Sequence, residues 1–548
     1  MLESITLQFT ENDDIHLPMN GVTIFVGPNN AGKSLILREI ASLYADTDRK
    51  RMLLKEFSLH WPSSGEIDST LEKMSIFSPS NVRAGYVILG GISLSGEQDY
   101  TQVNREELYY TAAGAANASW MARYYYRWGV TLLDGRSRFD LTSDRSAGDI
   151  LRAPQNILTN LFVNDEVRRK VRQIIKDAFG MWFVIDPTNL GQMRIRLSRV
   201  KPPKDEQSLN VKMREFYKNA LHIKETSDGV QAFTGIVTAV CSGEYHTVLV
   251  DEPEAFLHPP LARKLGKSLA ALISERAATM VASTHSADFL LGCVQGSPAV
   301  RVVRLEFSDG KSRGRTLDPI RLKNFFRRPL IRSSNVISGL FHDGVVICES
   351  DNDRAFYAEI YYRLSNKIMN LPSILFVNAQ NKHTIRDIMG PLREFGVPAA
   401  AISDIDIVTD GGQNWTNWMK AANIPEALHN GYGQLRSSIR SVFENSGRNM
   451  KTDGGVNCLD AQDRDAALRL FTDLEHYGIF PVPNGELESW LPHLRIPGKK
   501  TDWSVAALEM LGSDPADPAY VQPGEDDVWE FLNRIVRWIG DPTRSGMP

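Results

Sequence analysis

Residues 27–34 read Gly-Pro-Asn-Asn-Ala-Gly-Lys-Ser, a spacing suited to cradling the phosphates of a nucleotide. Gly27 and Gly32 let the backbone curl so that successive N–H groups, around Asn30, point inward at phosphate oxygens. Lys33 would reach the β- and γ-phosphates and Ser34 would ligate Mg²⁺. The positive end of the following helix would complete the site.

Two further stretches supply groups that such a loop needs. Val248-Leu-Val-Asp251-Glu252-Pro-Glu254 is an apolar run ending in acids. Asp251 would hold the Mg²⁺ shell through Ser34 and water, and Glu252 would polarise the attacking water. Met280-Val-Ala-Ser-Thr-His285-Ser286 is a second apolar run, with His285 placed to contact the γ-phosphate or that water. Upstream, Ser227-Asp228-Gly229 offers a hydroxyl and N–H groups at a helix start, suited to a γ-phosphate or to an ordinary N-cap.

A separate acidic constellation occupies the second half. Val345-Val-Ile-Cys-Glu349 ends in a glutamate, with Asp353 four residues on, and Ala401-Ile-Ser-Asp404-Ile-Asp406 ends in Asp-x-Asp. Four acids gathered at one sheet edge would repel one another and raise at least one pKa unless divalent cations neutralised them. Mg²⁺, or Mn²⁺ in its place, suits an all-oxygen site, and two ions could flank a phosphodiester.

Positioning these groups requires strands that deliver them to a common edge. Ile24–Val26 reads as a strand and Leu35–Tyr44 as a helix. The segment Ser119–Thr142, rich in aromatics and arginine, alternates in its second half like a hairpin about Asp134-Gly135. Val163–Phe179 has helical spacing, Met181–Ile185 reads as a strand, and 200–207 as a loop. After the basic stretch 327–334, the strand-like runs Val345–Cys348, Ile374–Val377 and Ala399–Ile402 alternate with helices, which predicts a parallel sheet. Asp526–Ile539 reads as an amphipathic helix. The fold class expected is α/β. It divides into a nucleotide-binding domain over 1–340, with an inserted candidate dimerisation region at about 90–225, and a second domain over 341–548. The second carries an insertion at about 410–455 and a helical segment over 501–548.

Bulk properties narrow the partners. With 62 basic and 66 acidic residues the net charge is −4, so a nucleic acid would have to be held by local basic patches. Four dispersed cysteines without a C-x-x-C pair point away from zinc or a disulfide framework and toward a reducing cytoplasm. No run approaches the ~18 apolar residues that span a bilayer, so no membrane partner is expected.

The "LVDEPEAFLHP" and "ASTHS" stretches resemble the second acidic motif and switch histidine of ATP-binding-cassette ATPases, in particular the SMC/RecF-like branch. That resemblance implies ATP and a head-to-head homodimer, in which Ser227 and Gly229 of one subunit would face the phosphate loop of the other. Glu349, Asp404 and Asp406, with Asp353 as an additional acid, resemble the TOPRIM pattern, although Ser350 stands where that family commonly has Gly. The combination resembles the OLD (overcoming lysogenisation defect) family, which includes Gabija-type nucleases and retron-associated effectors. It implies a later acid, matched by Glu488, and a lysine, matched by Lys499 or Lys500, with Arg495 and Lys382 as rivals. The resulting expectation is an ATP-regulated, Mg²⁺-dependent DNA endonuclease or nickase of anti-phage defence. An accessory defence protein, retron nucleic acid and assembly beyond a dimer are open partners. The alternative is an ATP-switched DNA-binding or sensor protein with an inactive or partner-controlled TOPRIM domain.

Overall fold

The computed structural model describes residues 1–548 except 11–12, 46–49, 75–81, 93–97, 136, 153, 309, 329–330 and 332–334. The chain forms two compact units, Met1–Val26 with Asn30–Pro319, and Gly27–Asn29 with Ile320–Pro548.

The first unit is built on a six-stranded sheet of β1 (Gly21–Val26), β2 (Val130–Leu133), β3 (Thr247–Asp251), β4 (Thr279–Ser283), β5 (Val300–Ser308) and β6 (Lys311–Leu317). Its order is β6-β5-β1-β4-β3-β2, parallel except for the β5–β6 hairpin. Thr279–Ser283 is buried at every position, as expected of a parallel strand covered on both faces. The register aligns Asp251 with Ser283 and Ser283 with Phe25. The loops leaving β1, β3 and β4 therefore emerge side by side at the carboxyl edge. Helix α1 (Lys33–Ser42) follows β1, α2 (Asp228–Ser242) precedes β3, and α3 (Pro259–Glu275) joins β3 to β4. A three-stranded antiparallel sheet (2–10, 13–18 and 54–59) lies beside them.

The second unit carries a four-stranded all-parallel sheet of β7 (Gly344–Cys348), β8 (Ile374–Asn378), β9 (Ala399–Ser403) and β10 (Ile479–Pro481), in the order β8-β7-β9-β10. Helix α4 (Asp351–Lys367) follows β7 and α5 (Lys382–Glu394) follows β8. Because Ile347 pairs with Ala401, Glu349 and Asp404 leave neighbouring strands at nearly the same height.

Two local expectations are corrected. The aromatic stretch forms no hairpin. Met121–Tyr126 is a π-helical turn, Val130–Leu133 is one strand of the main sheet, and Asp134 caps the next helical turn instead of closing a β-turn. The alternation before Asp134 is that strand, with Thr131 and Leu133 buried, and beyond it the chain forms the short helix Ser137–Asp140, with Arg138 buried. The helix expected over Val163–Phe179 breaks at Asn164, whose side chain accepts from Val167 N–H and starts a new helix, Asp165–Phe179. The polar stretch at 410–455 holds two helices, Gln413–Ala421 and α6 (Glu426–Ser446). Three strands precede α1, Leu2–Thr10, Asp13–Pro18 and Gly21–Val26. The basic stretch 327–334 lies mostly outside the described residues.

Candidate active sites

The phosphate-type loop adopts the backbone that its glycines permit. Gly27 has φ 139°, Asn30 63° and Gly32 97°, the left-handed region that glycine and asparagine tolerate best. A Cβ on Gly32 would stand 3.0 Å from Leu53 Cδ1, a tight contact added to the strain that its positive φ would put on any larger residue. Lys33 is buried and its ammonium pKa falls to about 8. Burial drives the fall, opposed by the charges of Glu252, Asp251 and Glu254. Ser34 Oγ donates to Asp251 Oδ1 at 2.7 Å, and Ser283 Oγ donates to the same oxygen. Glu252 is held at φ 48° with half of its side chain exposed, its Oε1 3.8 Å from His285 Nε2. Ser227 caps α2 without a side-chain hydrogen bond to the helix, and a Cβ on Gly229 would lie 2.6 Å from Phe256 O. Gly27, Asn30, Gly32, Lys33, Ser34, Asp251, Glu252 and His285 thus share one sheet edge. Oxygen donors and a hydroxyl beside a curled backbone suit a triphosphate with its Mg²⁺.

At the second sheet edge, Asp404 N–H donates to Glu349 Oε1 at 3.2 Å, which ties the first acid to the Asp-x-Asp turn. Burial, then the charge of Asp404, pushes the Glu349 carboxyl up to about 8. Burial also raises Asp353 to about 6 and raises Asp404, which the Lys451 ammonium opposes. Asp353 forms a capping box with Ser350. Ser350 N–H donates to Asp353 Oδ2 at 2.8 Å and Asp353 N–H donates to Ser350 Oγ at 3.3 Å. Ser350 has φ −130°, extended backbone that any residue adopts, so this turn needs no glycine. Glu488 Oε1 accepts from Lys500 N–H at 2.6 Å, while Lys499, Lys500 and Arg495 are exposed. Lys382 Nζ lies 3.4 Å from Asp406 Oδ1 and 3.3 Å from Asp410 Oδ1.

Comparison with known proteins matches the segments that carry Asp251, Glu252 and His285, and Glu349, Asp404 and Asp406, to named domains. Residues 94–292 match the family described as "AAA domain, putative AbiEii toxin, Type IV TA system", and 340–406 match "Overcoming lysogenization defect protein-like, TOPRIM domain". The chain combines an ATPase domain with an OLD-like TOPRIM nuclease domain. It is similar to an "OLD nuclease" of Thermus scotoductus, 22% identical over 439 residues, covering 72% of this chain and 80% of the relative. The "Old nuclease" of Escherichia phage P2 is 20% identical over 307 residues, 53% of this chain and 50% of that one. Among solved structures, an SMC head bound to the C-winged helix domain of ScpA aligns with 59% of this chain and 99% of its own at 14% identity and TM-score 0.34. The SMC head domain from Thermotoga maritima covers 58% of this chain and 99% of its own at 12% identity, with TM-score 0.30.

Three residues escaped sequence reasoning. Arg138 is fully buried, and its guanidinium donates to the carbonyl oxygens of Asp251, Glu252 and Ala255, the last two at 2.5 and 3.5 Å. It braces the left-handed turn that aims Glu252. Glu254 Oε1 accepts from His285 N–H at 2.6 Å and so fixes the histidine loop. Lys451 Nζ lies 2.6 Å from Asp404 Oδ2 and 3.0 Å from Asp406 Oδ2. Burial would lower its pKa, but the hydrogen bond and charges of the two aspartates raise it. The Asp-Gly that read as a hairpin hid Arg138, and nothing near Lys451 in sequence marks it. Among the described residues, no three His, Cys, Asp or Glu side chains are grouped to hold an ion, and the Lys451 ammonium occupies one oxygen each of Asp404 and Asp406. The donors themselves, carboxylates largely shielded from water, fit Mg²⁺ or Mn²⁺.

Two outcomes follow here. Arg138→Ala should lower the kcat of ATP hydrolysis about 10-fold or more with little change in KM, through loss of charge-assisted hydrogen bonds worth about 1.5–3 kcal/mol. Phosphate-release kinetics measure this. In metal-free protein, Glu349 holds its proton up to about pH 8, against 4.5 for an ordinary glutamate. The folded state therefore binds more protons than the unfolded state across that window, and stability falls as pH rises through it. Melting temperature in chelator should drop between pH 5 and pH 8, and Glu349→Gln should flatten the drop.

Proposed function

We propose that this protein is an ATP-gated, Mg²⁺-dependent DNA endonuclease or nickase of the Gabija or retron-effector kind, acting in anti-phage defence in the cytoplasm. The observation that carries this reading is the tie between Glu349 and the Asp404–Asp406 turn at one parallel-sheet edge, in a chain that also holds a complete phosphate-type loop beside Asp251. In this reading the functional division falls near residue 340, with 1–340 handling ATP and 341–548 handling DNA.

Lys33 and the loop amides hold the triphosphate, with Ser34 and Asp251 at its Mg²⁺. Glu252 accepts a proton from, or orients, the attacking water, while His285, fixed by Glu254, contacts the γ-phosphate. Ser227 and Gly229 reach the ATP of a second subunit, so ATP sets how two copies approach head to head. In the TOPRIM domain, Glu349, Asp404 and Asp406, with Asp353 and Glu488 behind them, are the metal ligands. When bound, Mg²⁺ or Mn²⁺ neutralises charge building on a phosphodiester and lowers the pKa of its attacking water. Lys500, or Lys499 beside it, stabilises the leaving oxygen. Chemistry of this type is mostly positioning and charge neutralisation, which needs no nucleophilic side chain.

Supercoiled plasmid incubated with the protein and Mg²⁺, with and without ATP, tests the reading, and nicked or linear product that responds to ATP is expected. The pairing of Asp404 and Asp406 with Lys451 favours a second reading, a partner-controlled TOPRIM domain. A protein inert toward every DNA form and divalent metal until a second component is added would support that reading instead.

A further inference from the structure

Lys451 does not reach the acid cluster by chance. Asn449 N–H donates to Asp453 Oδ2, Asp453 N–H donates to Asn449 O, and Lys451 N–H donates to Asn449 Oδ1, all at 2.9 Å. These bonds fold 449–453 into a closed turn. The turn is clamped onto the loop after β10 at two glycines. A Cβ on Gly485 would fall 2.1 Å from Lys451 O, and one on Gly455 2.1 Å from Pro483 O. Both have positive φ, 123° and 60°, so neither position accepts a larger residue without strain. Gly485 O in turn accepts from Ile405 N–H at 2.9 Å, inside the Asp-x-Asp turn. The lysine loop, the Gly-Glu-Leu-Glu loop and the aspartate turn form one hydrogen-bonded frame, and its product is an ammonium bridging Asp404 and Asp406.

A compact cation on a flexible four-carbon stem can fill the place of an ion and withdraw from it. Its partners are carboxylates that like-charge repulsion would otherwise destabilise. We propose that Lys451 is a resident counter-ion of the TOPRIM site, holding Asp404 and Asp406 in register in the metal-free protein and withdrawing when a divalent cation binds. This rests on the metal-dependent reading above and adds a positioning residue to it, one supplied by the segment 410–455. It makes metal loading a competition between an ammonium and an ion for the same two carboxylates.

Two measurements on the full chain, without DNA or nucleotide, test this. Mn²⁺ titration followed by electron paramagnetic resonance should show Lys451→Met binding about tenfold more tightly than wild type, since one positive charge within contact distance is gone. Lys451→Arg should stay near wild type, and Asp404→Asn should abolish the site. Acetylation of the wild-type protein, read by mass spectrometry, should label Lys451 slowly without metal and several-fold faster with saturating Mn²⁺. If Mn²⁺ binds but Lys451 labelling is unchanged or falls, the ammonium stays in place and the inference is overturned while the metal site stands. If neither wild type nor Lys451→Met binds Mn²⁺ at this site, the metal-dependent reading and the inference fall together. Circular dichroism of each variant against wild type separates these outcomes from misfolding.

Discussion

Glu349→Gln and Asp404→Asn are each expected to reduce plasmid nicking by about 10³-fold or more. Removing one ligand from such a site forfeits several kcal/mol of charge stabilisation, and each 1.36 kcal/mol is a factor of ten in rate. Burial disfavours the charged form of both side chains, pushing the Glu349 carboxyl up to about 8 and raising Asp404, where the Lys451 ammonium opposes the rise. The amide substitutions keep the shape and remove that penalty. Glu349→Gln should therefore melt at or above the wild-type temperature in chelator at pH 8, the usual exchange of activity for stability at a strained site, whereas Asp404→Asn also loses its ion pair with Lys451 and should show no such gain. Time courses of supercoiled plasmid loss at saturating Mg²⁺, with melting curves of the same preparations, check both halves. Full nicking by either variant would place the chemistry elsewhere in the molecule.

Glu252→Gln is expected to cut ATP turnover by about 10²–10⁴-fold, the range typical of a lost general base, with nucleotide binding retained. Glu252 is the one acid of its cluster that is both half exposed and set at a left-handed φ, which turns it away from the strand and toward the loop edge. Asp251 is already engaged by Ser34 and Ser283, and Glu254 is committed to the His285 backbone. Glutamine keeps the shape but cannot take a proton. Phosphate release alongside binding of a fluorescent ATP analogue separates the two effects. Turnover that survives in Glu252→Gln but is lost in Glu254→Gln would move the role to the buried acid.

Much of the frame was legible from local pattern. The apolar runs at Val248–Asp251, Thr279–Ser283, Val345–Cys348 and Ala399–Ser403 are strands within a residue of where their composition puts them, since a strand buried on both faces must be apolar throughout. The acids mark their ends because charge cannot continue into that interior. The terminal amphipathic helix, Asp527–Gly540, was equally readable. The stretch 119–142 was not. Its second half alternates like a hairpin about Asp134-Gly135, yet only Val130–Leu133 is a strand and Ser137–Asp140 is helical, a choice set by packing rather than by pattern.

What sequence alone determined about this protein is therefore its chemical vocabulary. A glycine-framed Lys-Ser loop and two sets of strand-end acids are short-range features, specified by backbone freedom and by the cost of burying charge. Tertiary structure decided which groups answer one another. Strand order β6-β5-β1-β4-β3-β2 brings Ser34 to Asp251, 217 residues away, and Arg138 reaches the Glu252 carbonyl across 114. Lys451 crosses 47 residues to Asp404. Such pairings depend on register and loop closure between distant segments, and an ion pair leaves no periodicity in the chain that makes it.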